Sequence, residues 1–500
     1  MRGHPGAQLA YGSSLAAADR HQAAFRQFSR AASSGLPEAA YRLGRCYLLG
    51  LGVPCCPDAA LPWLMRAAEA GNVEAPALLA SLALQGISSD ARAGLFAAAS
   101  RYIGRPPDYQ AALQWGRRAA EAGSAEAQTL LGYILTSGPD EIRDPSSGAQ
   151  YYRLAAASGF AQGQLGWALA LLRDDGSPAA SATARALLGS AAAAGLPTAH
   201  FMLGVLTEGD VLAEGAPAGA DQLATAAVHY RAGAELGHRP SEVRYGLALL
   251  NGRGVERDTQ GGETWLRRAG LAGDAQAAAM VGDLYARQDG LPPNFCEASL
   301  WFQRAAEAGH SGAARALGQI YLRGGGFGTD PVAAARWLRV AATAGDAAAA
   351  YDLGICLAHG IGTARDDAEA LQWFLRAIDA MPAARYWYGR MLAEGRGIAA
   401  DLPAARACLL RAAAEGNGDA AAVAGEMLVN GRGGPLDRKA AMDLFAGAAA
   451  KGHKGAQYAL DVLRPADGTP PDDTPAGAPP ADDTPTDNSI IISRGACVSA

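Results

Sequence analysis

The sequence predicts an all-α chain: a right-handed α-solenoid of about twelve two-helix repeats, followed by a disordered C-terminal tail. Three observations lead there. A helix-length segment returns every 36 residues, as in "NFCEASLWFQRAAEAG" (294–309), "DPVAAARWLRVAATAG" (330–345) and "DDAEALQWFLRAIDAM" (366–381). Each copy carries helix start and stop signals. Each also has one apolar stripe that a lone helix pair cannot bury and stacked pairs can.

The second helix of each unit is the more sharply punctuated. Its closing position is Gly35, Gly71, Gly123, Gly159, Gly195, Gly237, Gly273, Gly309, Gly345, Met381, Gly416 and Gly452, mostly 35 or 36 residues apart. Glycine there closes a helix in the left-handed conformation at little cost. Fifteen residues earlier stand Asp108, Asp144, Asp258, Asn294, Asp330, Asp366, Asp401 and Asp437, side chains that accept from unpaired first-turn N–H groups. Pro145 and Pro331 follow at the first helical position, where a missing N–H costs nothing. Arg66, Arg118, Arg268, Arg304, Arg376 and Arg411 fall in the last turn, where a cation suits the helix dipole. A helix of about 14 residues results in each unit.

Within it, Ala298, Trp301, Ala305 and Ala308 share a face, as do Ala334, Trp337, Ala341 and Ala344. Trp63, Trp115, Trp265, Trp301, Trp337 and Trp373 occupy one register, with Tyr151 in another unit. A buried Trp removes roughly 200 Å² from water, so these residues are expected as core wedges between neighbouring repeats.

The first helix shows as "YRLGRCYLLGLGV" (41–53), "RYGLALLNGRGV" (244–255) and "YDLGICLAHGIG" (351–362). Gly246, Gly282, Gly318, Gly354, Gly389 and Gly425 sit in its middle. A mid-helix glycine costs roughly 1 kcal/mol relative to Ala, so close helix approach is expected there. A short glycine-containing turn then leads to the capping residue.

Leu-Gly, Tyr, Gly-x-Gly, Asp, Ala, Trp, Ala-Ala and Gly at this period resemble the Sel1-like repeat, a relative of the tetratricopeptide repeat. The resemblance covers about residues 7–463. Extra residues interrupt it at "ISSDARAGLFAAASRYIG" (87–104) and "DVLAEGAPAGAD" (210–221), and 164–195 keeps the outline without the Trp or the Asp cap. The resulting organisation is a disordered 1–6, a repeat array over 7–463 that is irregular to about 243 and regular over 244–463, and an acidic Pro/Asp/Thr-rich tail over 464–500.

Composition narrows the function classes. The chain has 43 Lys plus Arg against 49 Asp plus Glu, a net charge of −6, which does not favour nucleic acid. Seven cysteines without repeat-locked spacing fit a reducing, cytoplasmic setting better than a disulfide framework. No signal peptide or membrane-length apolar run is found. The arginine-rich, Ala- and Gly-rich composition fits GC-rich, bacterial coding.

Chemistry is sparse. The eight histidines include no His-x-x-x-His pair, and Cys46, Cys55 and Cys56 lack zinc-finger spacing, so no metal, cofactor or catalytic residue is assigned. "GGGFGTD" (324–330) has no strand before it and no Lys-Ser/Thr after it, and "GHSGA" (309–313) is no nucleophile elbow. The terminal "CVSA" (497–500) makes a poor prenylation box.

What remains is a surface. Positions −2, +1 and +5 from the mid-helix glycine form one stripe, on the helix that lines the concave side of related solenoids. It offers Arg244, Asn251, Asp283, Arg287, Gln319, Arg323, Asp352, His359, Trp387, Arg390, Glu394, Glu426 and Asn430. Mixed charge with an aromatic fits a protein or peptide partner better than lipid or nucleic acid. The resemblance implies a non-enzymatic adaptor that assembles a protein complex. The alternatives are a hydrolase of the β-lactamase-like kind linked to some cysteine-rich members, although Ser-x-x-Lys is absent here, and an envelope or secreted scaffold.

Overall fold

The computed structural model describes residues 4–87, 106–175, 177–213, 219–287, 292–324 and 328–463. Among these every regular element is a helix, 25 in all. Contacts divide the chain into two units, Met1–Ala248 with Arg253–Glu256, and Leu249–Gly252 with Arg257–Ala500.

The first unit holds α1 (Pro5–Ala17), α2 (His21–Ser33), α3 (Pro37–Leu49), α4 (Pro57–Glu69), α5 (Ala75–Leu84) and α6 (Tyr109–Glu121). It continues through α7 (Ala125–Ser137), α8 (Pro145–Ala157), α9 (Ala161–Asp174), α10 (Pro178–Ala193), α11 (Pro197–Ala213) and α12 (Ala220–Glu235). Helix α13 (Arg239–Asn251) runs across the division. The second unit begins with α14 (Thr259–Leu271), α15 (Ala275–Ala286), α16 (Phe295–Glu307), α17 (Ser311–Arg323), α18 (Pro331–Thr343) and α19 (Ala347–His359). It ends with α20 (Asp367–Ala377), α21 (Pro382–Glu394), α22 (Leu402–Ala414), α23 (Gly418–Val429), α24 (Arg438–Ala450) and α25 (Lys454–Leu463).

Within each unit a helix packs on the next in sequence, and odd-numbered helices also touch one another, as α7 touches α9 and α15 touches α17. This is the stacking of helix pairs: α1 to α12 form six in the first unit and α15 to α24 form five in the second. Helix α1 starts at Pro5, inside the 1–6 segment expected to be disordered, with His4 capping it. The acidic tail over 464–500 and the insertion over 87–104, apart from Ile87, lie outside the described residues, as does 214–218 within 210–221.

All eight expected capping residues accept from the N–H three positions on, for example Asp330 Oδ1 from Ala333 at 2.9 Å. Most second helices are 13 residues long, and Ser177 supplies a cap to α10, where none was expected. The closing glycines all have positive φ, from 78° at Gly159 to 95° at Gly345 and Gly416. Where Met381 replaces glycine, α20 stops early, at Ala377.

Mid-helix glycines are where two helices of a pair meet. A Cβ on Gly354 would come within 2.6 Å of the Phe374 ring, and one on Gly318 within 2.8 Å of Leu338. Phe302, Leu409 and Phe445 rest in the same way on Gly282, Gly389 and Gly425. The residue after the Trp register therefore seats the two helices of one repeat on each other, while Trp301 reaches the preceding repeat, 3.1 Å from where a Cβ on Gly270 would stand.

Trp301, Trp337 and Trp373 are themselves buried, but Trp63, Trp115 and Trp265 are only half-buried, with the last-turn arginine over the ring at 5.6, 5.8 and 5.4 Å. The expected alanine stripe stops at Ala305 and Ala341; Ala308 and Ala344 are exposed C-caps, because the helix ends there. The last-turn arginines also bond the preceding repeat, Arg118 donating to Ala68 O at 2.8 Å and Arg304 to Gly270 O at 3.1 Å. Among the described residues no helix is long and apolar enough to cross a membrane.

Candidate functional site

The residue after the closing glycine joins three helices at His310, Asp346 and His453. Asp346 is the fullest case: its N–H reaches Ala341 O at 3.1 Å to close α18, and its carboxylate caps α19 at Ala349 N, 2.9 Å away. Its other oxygen accepts from Arg315 Nε of α17 at 3.0 Å. His310 does the same work between α16 and α17, with Nδ1 accepting from Ala313 N at 3.0 Å and Nε2 lying 3.0 Å from Gln276 of α15. His453 repeats it against Asp419 of α23 at 3.0 Å. Successive first helices are thus tied together by polar side chains, which makes their common face a fixed frame. The sequence reading missed these joints; a polar residue after the closing glycine, as at His310, Asp346 and His453, was the available signal.

Of the expected stripe, Arg244 belongs to the first unit, exposed and 3.6 Å from Glu208. The rest lie in the second unit. There the three registers differ in depth. At −2, Asp352 and Trp387 are buried, 7% exposed each, which corrects their assignment to a solvated stripe. The helix turns that register toward the neighbouring repeat. Asp352 accepts from Gln319 Nε2 at 3.0 Å, and Trp387 stacks on Phe374 at 6.0 Å between ring centroids. Burial pushes the Asp352 carboxyl up, with the Gln319 bond acting against it.

At +1, Asp283, Gln319 and Arg390 are half-buried, and only Glu426 is exposed. At +5, Asn251, Arg287, Arg323, His359 and Glu394 are exposed, and Asn430 is half-buried, donating to Glu426 O at 3.0 Å. Arg287 lies 3.9 Å from Asp283, and Arg390 pairs with Glu394 at 2.7 Å. Arg323 has no ion pair among the described residues.

His359 has the densest surroundings. Its ring meets Trp387 edge to face at 5.4 Å, and the Arg390 guanidinium lies 5.3 Å from the centroid of that Trp. Burial, then Arg396, Arg390 and Arg365, hold the His359 ring below the usual imidazole range. Arg396 and Arg365 share Asp367, at 2.6 and 2.8 Å, and pull that carboxyl down to about 2. Arg396 is the middle residue of a Gly-Arg-Gly turn, repeated at 252–254 and 431–433, a visible signal that was not used. The arrangement offers fixed cations beside aromatic surface, suited to carboxylate recognition. The described residues contain no cluster of three or more groups placed to hold a metal ion, and their six cysteines are free.

Comparison with known proteins agrees with this architecture. A model of the Sel1 repeat matches residues 37–72, 94–124, 125–160, 240–274, 275–310, 311–346, 347–380, 382–417 and 418–453, well over half of the chain. One match, 94–124, begins inside the segment read as an insertion. The crystal structure of a protective antigen of uropathogenic Escherichia coli strains, displaying an SLR fold, is similar over 88% of this chain and 90% of its own, with TM-score 0.57 and 24% identity. A Sel1 repeat protein from Oxalobacter formigenes gives TM-score 0.49 and 29% identity over 67% of this chain and 93% of its own. Chitin synthase regulatory factor 3 of Schizosaccharomyces pombe is 32% identical over 137 residues, 27% of this chain and 13% of that protein, so the match spans a small part of the relative.

Proposed function

The chain belongs to the Sel1 repeat family, and from that premise we propose that it is a non-enzymatic adaptor that assembles a protein complex through the first-helix face of its second unit. One observation carries the reading: the exposed +5 side chains stand on helices whose mutual positions are held by the Asp346 and His310 joints and by Gln319 to Asp352. A rigid face of this kind lowers the ordering cost of binding and spreads contacts over several repeats. A regulatory factor among the relatives fits a chain that acts by holding another protein. Free cysteines favour a reducing compartment, and we place the adaptor in the cytoplasm.

The test is affinity capture with mass spectrometry on wild type and on a set of variants. Substitutions at Arg323, His359 and Glu426 should deplete the same captured protein while leaving the helical melt intact. If capture is untouched by every one of them, or if the purified chain turns over a hydrolase substrate, the adaptor reading at this face is wrong.

A further inference from the structure

We propose that the C-terminal ends of α15, α17 and α19 form a docking strip for an extended acidic peptide whose carboxylates recur at every third residue. The inference rests on the reading of the first-helix face and adds the chemistry of its partner. Arg287, Arg323 and His359 occupy one register on three successive first helices and are all exposed. Helices α15 and α17 touch, and helices in contact stand about 8–10 Å apart. An extended chain advances roughly 3.3 Å per residue, so three residues span about one helix spacing. A strand crossing the helices therefore brings side chains i, i+3 and i+6 over the two guanidiniums and the His359 ring.

Exposure gives the strip its sign. Of the nearby carboxylates, Asp352 is buried and bonded to Gln319, Asp367 is held by two arginines, and Asp283 lies 3.9 Å from Arg287. What reaches solvent is the guanidinium of Arg287, that of Arg323, which has no ion pair among the described residues, and the ring of His359. Arg365, Arg390 and Arg396 outnumber Asp367 and Glu394 around that ring by one.

The groups facing His359 are Arg365 and Asp367 from the start of α20, Trp387 and Arg390 from α21, and Arg396 from the turn after it. A bound carboxylate would offset those cations and favour the protonated ring. Affinity for an acidic peptide should therefore rise as pH falls from about 7.5 to about 5.5, a range in which peptide glutamates, near 4.3, stay ionised.

The experiment uses the full chain and two synthetic peptides of identical composition, acetylated and amidated. One carries Glu at every third position in an Ala/Ser background, and the other carries the same glutamates contiguously. Fluorescence anisotropy should show the spaced peptide binding roughly tenfold tighter, with a roughly tenfold loss in Arg323→Glu and a smaller one in Arg323→Gln. Wild type should bind more tightly at the lower pH and His359→Gln should not. Equal affinity for the two peptides would reduce the strip to general attraction for polyanions and overturn the inference, as would binding indifferent to Arg287→Glu and Arg323→Glu. If neither peptide binds but Glu426→Arg on α23 abolishes capture of a protein partner, the face stands and its acidic-peptide chemistry falls. If no variant on the face affects that partner, both fall.

Discussion

The Phe374 ring lies against the α-carbon of Gly354, so close that a Cβ on that glycine would come within 2.6 Å of the ring. Phe374 is fully buried, and the contact joins the two helices of one repeat. Glycine to alanine inside a helix ordinarily stabilises by roughly 1 kcal/mol. Here the sign should reverse. Gly354→Ala is expected to cost about 1–3 kcal/mol through overpacking. Adding Phe374→Leu should recover part of that, since Leu338 fills the equivalent seat on Gly318. Denaturant unfolding of the single and double variants checks both steps.

The ranking of core side chains follows from the same contact. Phe374→Ala and Trp337→Ala remove buried rings and should each cost about 3–5 kcal/mol. Trp265 is only half-buried beneath Arg268, so Trp265→Ala should cost at least about 1 kcal/mol less. Equal losses at Trp265 and Phe374 would mean that the Trp register contributes as much to the core as the residue after it.

That distinction shows what could be read in advance. Caps and closing glycines were legible because they act within a few residues of themselves: Asp330 to Ala333 needs no knowledge of the neighbouring repeat. The mid-helix glycines were legible as an anomaly that demanded close approach. Depth across the stripe was not legible. Positions −2, +1 and +5 share one helix face, but the neighbouring repeat covers that face unequally, burying Asp352 and Trp387 while leaving Arg287 and Arg323 in solvent. The Arg390 to Glu394 pair, by contrast, stands at the four-residue spacing that a helix brings together.

Asp352 gives a test of that depth. Its folded carboxyl is raised by burial above the unfolded value of about 3.9, so whatever stability it contributes is fully present below that value and is lost as pH rises through the folded one. At neutral pH the charge is a liability. Asp352→Asn keeps an acceptor for Gln319 and removes the charge, and should leave stability at pH 7 unchanged or raise it by up to about 1 kcal/mol. Asp352→Ala should instead cost about 1 kcal/mol or more, by leaving Gln319 without its bond. Thermal melts across pH, flatter for the Asn variant, check the assignment.

In the first unit, His200 of α11 and His229 of α12 face each other with ring centroids 5.9 Å apart. Burial lowers both, and His200 adds its own repulsion to His229. Because the unfolded rings bind protons more readily, this contribution to stability is complete above about pH 6.5 and declines as pH falls below it. Hydrogen exchange in α11 and α12 should therefore speed up on acidification before that in α3 and α4. His229→Gln should reduce the difference.

The last prediction concerns the joint at Asp346, where one residue serves three helices. Its backbone N–H closes α18, one carboxylate oxygen caps α19, and the other holds Arg315 of α17. These roles separate by substitution. Asp346→Asn keeps a capping oxygen and loses the charge, and should cost less than about 1 kcal/mol, the range of a partly exposed ion pair. Asp346→Ala loses cap and ion pair together and should cost about 1–2 kcal/mol, more than Asp330→Ala, which removes a cap alone. A double-mutant cycle with Arg315→Ala should return a coupling for wild-type Asp346 and none once Ala stands there. In a repeat array each unit contacts only its neighbours, so the loss should appear as faster hydrogen exchange in α18 and α19 while α24 keeps its protection. Uniform acceleration along the second unit would show that it unfolds as a single cooperative block, and that the joint sets the stability of the whole face at once.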